Sequence, residues 1–191
     1  MKTVKNNKIA ITGGLGTGKS SVLNIFKEFG FKTFNCDEYN SILLNENSTK
    51  ELLKTDFKQA FVEDSIDKKI LANIIYNNDN KRKKLNDIMH PLIINKLKEL
   101  VNSNEQIICE VPLLYELFLN DLFDCVIVVY ANIDNRIKRL IKKGYTTERI
   151  NEIISKQIDI DKKIEIADKI IYNDNDLNDL YKQVKKIIME D

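Results

Sequence analysis

Nine residues, GGLGTGKSS at 13–21, hold four of the six glycines of this 191-residue chain. From Gly13 to Ser20 the string fits G-x-x-x-x-G-K-[ST]. Glycine admits positive φ and a close approach of the main chain, so several N–H groups can converge on phosphate oxygens. A helix starting after Gly18 adds the positive end of its dipole. In this pattern Lys19 reaches the β- and γ-phosphates and the Ser20 hydroxyl ligates Mg2+. Ser21 is placed to support the α-phosphate. Gly14, Leu15, Gly16, Thr17, Gly18, Lys19, Ser20 and Ser21 therefore form a candidate nucleoside-triphosphate site.

Such a loop serves switches, motors and small-molecule kinases alike. The N-K-x-D and D-x-x-G strings of guanine-nucleotide switches occur nowhere in the chain. A motor ATPase needs an apolar strand ending in Asp-Glu, whereas the run 106–111 supplies only Glu110, with Pro112 two residues on. A kinase needs an acid near the acceptor hydroxyl, a basic mobile lid and an acceptor pocket, because phosphoryl transfer rests on positioning and charge neutralisation. Asp37, just past a short extended run, has the chemistry to orient a hydroxyl and take its proton; an Asp there can equally cap a helix. Arg139, Lys142 and Lys143 stand before Gly144. They read as lid cations closing over phosphates, or as partners of a helix C-terminal dipole.

The elements that must place these groups alternate. Extended runs are expected at 8–12, 32–35, 106–111, 125–131 and 169–173, the run at 125–131 being apolar throughout. Helical patterns lie between them. Val22, Leu23, Phe26 and Phe29 share one face, with Gly30 as the closing glycine. His90-Pro91 is expected to open a helix carrying Leu92, Ile93, Leu97, Leu100 and Val101, since proline is tolerated in a first turn. Ile137, Leu140 and Ile141 mark another helix, Thr146 or Thr147 caps the next, and Leu177, Leu180, Tyr181, Val184, Ile187 and Ile188 form the final stripe. Continuous apolar strands alternating with helices imply an α/β fold, three layers deep, with a five-stranded parallel sheet. No convincing strand is expected in 40–105, which reads as a helical insertion over the sheet's C-terminal edge, where α/β ligands bind. The expected core is about 1–39, 106–136 and 163–191, with a helical acceptor-binding region at 40–105 and a lid at 137–162.

A net charge of +1 carries no global field for nucleic acid or a membrane. The basic run 81–84 reads as a solvated helix face. The N-terminal apolar run is too short for a secretory signal, and nothing approaches the roughly 18 apolar residues of a membrane span. Cys36, Cys109 and Cys125 have no metal-ligand spacing and read as buried thiols of a cytoplasmic protein.

Together the strings resemble a known family. ITGGLGTGKS at 11–20, the Asp37 segment, HPLI at 90–93, VPLLYE at 111–116, Gln157 within SKQ, and ADKIIYN at 167–173 follow one another in the order of the dephospho-CoA kinases. The similarity spans about residues 8–188, and both prolines of the chain fall inside these strings. The resemblance implies a P-loop kinase fold with a helical CoA-binding region and a lid. It also implies Mg2+- and ATP-dependent phosphorylation of the ribose 3′-hydroxyl of dephospho-CoA, by a monomer or small homo-oligomer. By position Asp37 matches the family's base. His90, Pro112, Leu113 and Tyr115 fall on the acceptor side, and Asn173 lies by the adenine. Glu110 takes the place of an Asp that contacts the metal's water, Asn35 that of the first acid before Asp37, and Lys143 that of a lid arginine. Lysine lacks the bidentate fork of arginine, which shifts phosphate contact toward Arg139. Two other readings share the loop: a kinase for a nucleoside, a nucleoside monophosphate or shikimate, and a nucleotide-binding module without catalysis.

Overall fold

Every residue of the first strand, β1 (Lys8–Gly13), is buried, because parallel strands pair with it on both sides. The structure, a computed structural model, describes residues 7–190; residues 1–6 and Asp191, counted in the expected core, lie outside the described residues. In chain order β1 is followed by α1 (Lys19–Glu28), β2 (Thr33–Asn35), α2 (Cys36–Leu43) and α3 (Asn47–Lys54). Then come β3 (Phe61–Val62), β4 (Ser65–Ile66), α4 (Lys68–Tyr76), α5 (Asp79–Val101) and β5 (Ile107–Glu110). The chain continues through β6 (Cys125–Tyr130), α6 (Ile133–Lys142), α7 (Thr147–Ser155), α8 (Ile160–Glu165), β7 (Lys169–Tyr172) and α9 (Leu177–Glu190). It divides into two compact units, one running up to Asn35 and resuming at Ser103, the other Cys36–Asn102.

The first unit is a five-stranded, all-parallel sheet in the order β2-β5-β1-β6-β7. The five runs expected to be extended are those strands. Ile9, Ile11, Ile127 and Val129 pack with Val22, Leu23 and Phe26 of α1 and with Leu180, Val184 and Ile187 of α9. Each such side chain, fully buried, contributes about 1.5–3 kcal/mol. Cys109 is buried and its thiol is pushed up to about 12 by that burial, a packing residue with no thiolate chemistry near neutral pH. Cys36 and Cys125 are likewise buried and unbridged. No helix among the described residues is long and apolar enough to cross a membrane.

The second unit has its own core of Leu43, Leu44, Leu53, Phe57, Leu71, Leu85 and Met89. Two expectations fail in it. His90-Pro91 does not open a helix: Pro91 stands in the interior of the 23-residue α5, which begins at the Asn78 cap. Proline removes one donor and crowds the preceding turn. Buried Leu85 and Met89 before it, and Leu97 after it, hold both halves of the helix on one stripe. The segment 40–105 also contains strands, the short antiparallel pair β3 and β4. Its turn places Glu63 at φ 55, a left-handed conformation that two-residue hairpins require and that sequences usually mark with Gly, Asn or Asp. The basic run 81–84 pairs with acids within its own unit: Lys81 and Lys84 with Asp56, Arg82 with Asp79, and Lys83 with Asp87.

Candidate active site

β1 ends on Gly13 and α1 begins at Lys19, so residues 14–18 form a tight loop at the carboxyl end of a central strand. Gly18 caps α1 at φ 93, ψ 27 without any side-chain hydrogen bond. A Cβ there would stand 2.1 Å from Asn173 Nδ2, so any side chain would strain the backbone and displace the Asn173 carboxamide. The leading N–H groups of a helix have no intrahelical acceptors and carry its positive end. No acidic residue in the first turn of α1 offsets that field. Ser20 and Ser21 are exposed at its start.

Side chains fix the loop from several directions. Thr17 Oγ1 donates to the Gly14 carbonyl at 3.0 Å. Lys19 is 9% exposed, and its ammonium donates to the carbonyls of Gly14 (3.0 Å) and Gly13 (3.3 Å). Asn173, directly after β7, donates from Nδ2 to the Thr17 carbonyl at 2.8 Å. Arg139 of α6 donates to the carbonyls of Asn173 (2.6 Å), Thr17 (3.4 Å) and Gly16 (3.5 Å). Arg139 is therefore seated at the loop, where the sequence suggested a swinging lid cation. Lys143 is exposed at the C-cap of α6, one turn beyond it.

Sequence reasoning missed Arg136. It is 5% exposed, its Nε donates to the Leu15 carbonyl at 2.8 Å, and its guanidinium fills the space a Cβ on Gly14 would need. Burial pulls the Arg136 pKa below its ordinary value, while Asp159 and Tyr130 act in the opposite sense. Its signal was the three-residue spacing to Arg139, which puts both guanidiniums on one helix face. Lys19, Arg136 and Arg139 bring three cations to the loop, together with the dipole of α1. Such a site suits a polyanion.

At the end of β5, Glu110 is 4% exposed, and its Oε2 accepts from Asn35 Nδ2 at 2.8 Å, across a registered strand pair. The segment that follows is tied back to β1: the Val111 N–H donates to the Ile11 carbonyl at 2.9 Å, and Thr12 Oγ1 donates to the Pro112 carbonyl at 3.4 Å. Pro112 and Leu113 are half-buried. Tyr115 is different. It is 7% exposed, its hydroxyl donates to the Ile166 carbonyl at 3.2 Å, and burial pushes its pKa up to about 12. The hydroxyl thus ties the VPLLYE segment to the turn after α8. In the second unit, Asp37 is exposed in the first turn of α2, where the helix dipole favours its carboxylate. His90 is half-buried within α5, and that burial draws its pKa down, with Asp87 partly opposing.

The sequence model of the dephospho-CoA kinase family matches residues 7–179. The chain belongs to the dephospho-CoA kinase family. A dephospho-CoA kinase from Fusobacterium nucleatum is 33% identical over 183 residues, covering 93% of this chain and 95% of its own. The solved dephospho-CoA kinase of Campylobacter jejuni is 30% identical with a TM-score of 0.68, covering 96% of each chain. A solved structure from Thermus thermophilus superposes with a TM-score of 0.78 at 26% identity, over 95% of this chain and 96% of that one. Dephospho-CoA kinases are phosphotransferases that use a nucleotide, and a loop ringed by cations at the carboxyl end of β1 fits that class. Among the described residues there is no group of three or more His, Cys, Asp or Glu side chains suited to a metal ion.

Proposed function

We propose that this chain transfers the terminal phosphoryl group of ATP to the ribose 3′-hydroxyl of dephospho-CoA, giving coenzyme A and ADP. The observation that carries the reading is the Gly13–Ser20 loop, bonded by Lys19, Arg139 and Asn173, in a chain whose family match spans residues 7–179. The amides around Gly16–Lys19 hold the triphosphate, Lys19 neutralises charge developing on the transferred group, and Arg139 and Asn173 keep the loop closed on its far side. Asp37 orients the acceptor hydroxyl and receives its proton late in transfer, because a secondary alcohol is a weak nucleophile near neutral pH. His90, Pro112 and Leu113 serve the acceptor side, and Lys143 supplements the phosphate-facing charge.

Mg2+ suits the hard oxygen donors available. It keeps several waters and takes few protein ligands beside the phosphates, so a multi-carboxylate cage is unnecessary. Ser20 would hold the ion, and the Glu110 carboxylate would accept from one of its waters. When bound, the ion shields charge between the β- and γ-phosphates. Buried, unbridged cysteines accord with a cytoplasmic enzyme.

A coupled ADP-release assay with Mg-ATP tests the reading. Turnover with dephospho-CoA is expected, with little on AMP, uridine or shikimate. Turnover on one of those acceptors, with none on dephospho-CoA, would replace the proposed substrate.

A further inference from the structure

Leu15 sits in the middle of the loop and is gripped on two successive peptide planes. Its carbonyl accepts from Arg136 Nε at 2.8 Å, and its N–H donates to Gln157 Oε1 at 3.0 Å. These partners lie 121 and 142 residues away in the chain. Arg136 is immobilised by burial in α6. Gln157 is half-buried in the linker between α7 and α8 and is steadied through the next residue. The Ile158 N–H donates to Glu116 Oε1 at 3.1 Å, and the same oxygen lies 2.7 Å from Lys163 Nζ. Lys163 is fully buried at 0% exposure, and Glu116 is the last residue of the VPLLYE segment. A continuous path therefore runs from Lys163 through Glu116, the Ile158 main chain and the Gln157 carboxamide to the Leu15 amide.

Burying an ammonium–carboxylate pair is costly, and an apolar pair of similar volume would pack α8 as well or better. What the ionic pair supplies is direction: a charged oxygen fixes the Ile158 N–H, and with it the place of the side chain before it. We infer that Gln157 is a positioning residue whose carboxamide oxygen, aimed by the Glu116–Lys163 pair, sets the Leu15 peptide and hence the loop amides that follow it. The inference rests on the phosphoryl-transfer reading above. Donors fixed in advance spare the reorganisation otherwise needed as charge develops. An interaction of that kind shows in turnover more than in ground-state binding.

The test uses Gln157→Ala and Gln157→Asn; the second keeps a carboxamide but withdraws it by one methylene. In both, kcat is expected to fall about 10- to 100-fold, the scale of misplacing a reacting group. The Kd for ADP, measured calorimetrically, should stay within about threefold of wild type, the pattern of a group acting at the transition state. Hydrogen exchange read by NMR supplies a measurement independent of activity: the Leu15 amide, protected in the wild type, should exchange faster in both variants. An unchanged kcat overturns the inference, as does a lowered kcat with Leu15 exchange unaltered. A tightened KM for ATP also overturns it, since Gln157 would then be competing with phosphate for the loop. Wild-type enzyme inactive on dephospho-CoA would instead defeat the functional reading, and Leu15 exchange would still report on the contact.

Discussion

The phosphate loop in the first unit and helix α5 in the second carry two of the chain's most specific strings, and they are built in opposite ways. In the loop the groups that the proposed reading puts to work are main-chain amides. The side chains Thr17, Lys19, Arg136, Arg139 and Asn173 bond to loop carbonyls and shape the peptide. In α5 the main chain is ordinary helix, continuous through Pro91, and the specific content is side chains: His90 half-exposed, with Leu85, Met89 and Leu97 buried. A site made of backbone tolerates almost no added atom, since Gly14 and Gly18 already lie against Arg136 and Asn173. A helix face tolerates exchange at exposed positions but not loss of its buried stripe. The loop is thus fragile toward function and α5 toward stability.

Four experiments bear on that contrast. The largest effect is expected from Lys19→Ala, which should lower kcat/KM for ATP about 10³-fold, or about 4 kcal/mol, with the melting temperature nearly unchanged. A loss of stability in place of activity would erase the contrast. Next, Leu97→Ala in α5 should cost about 3 kcal/mol in urea unfolding, because Leu97 is fully buried and its neighbours refill the cavity only in part. Retained stability there would show that the buried stripe of α5 does not carry the stability assigned to it. Asp37→Asn should reduce kcat by about 10²-fold, or about 2.7 kcal/mol, with ATP affinity little altered. A normal kcat would remove Asp37 from the reaction.

The smallest effect concerns pH. Burial draws His90 below its ordinary pKa of 6.5, so below that value the unfolded chain binds more proton than the folded one. Stability is therefore full above pH 6.5 and falls as the pH drops from there through the folded-state pKa. Unfolding measured at about pH 7.5 and about pH 5.5 should show wild type losing more stability than His90→Gln. Equal losses would assign the acid sensitivity to other groups.

Much of the first unit was legible because its signals are local. A buried parallel strand reads as an apolar run, and β1, β5 and β6 are such runs. The spacing of Gly13, Gly18, Lys19 and Ser20 is set by the geometry of one loop, so it appears intact in eight consecutive letters. In the second unit the β3–β4 turn was hidden because Glu63 takes a left-handed conformation without a marker residue. Pro91 suggested a helix start because sequence alone does not show that Leu85 and Met89 continue the stripe of Leu97. The bond from the Tyr115 hydroxyl to the Ile166 carbonyl joins residues 51 apart, and no local pattern announced it.

The sequence by itself determined that a glycine-rich G-x-x-x-x-G-K-[ST] loop stands between a strand and a helix, and that the sheet is parallel and covered on both faces. These follow from backbone sterics and side-chain periodicity over a few residues, which neighbours in the chain impose directly. Only the tertiary structure decided which side chains hold the loop. Arg136, Gln157 and Asn173 reach it across 121, 142 and 156 residues of chain, and no local pattern encodes a contact between groups that folding alone brings within hydrogen-bonding distance.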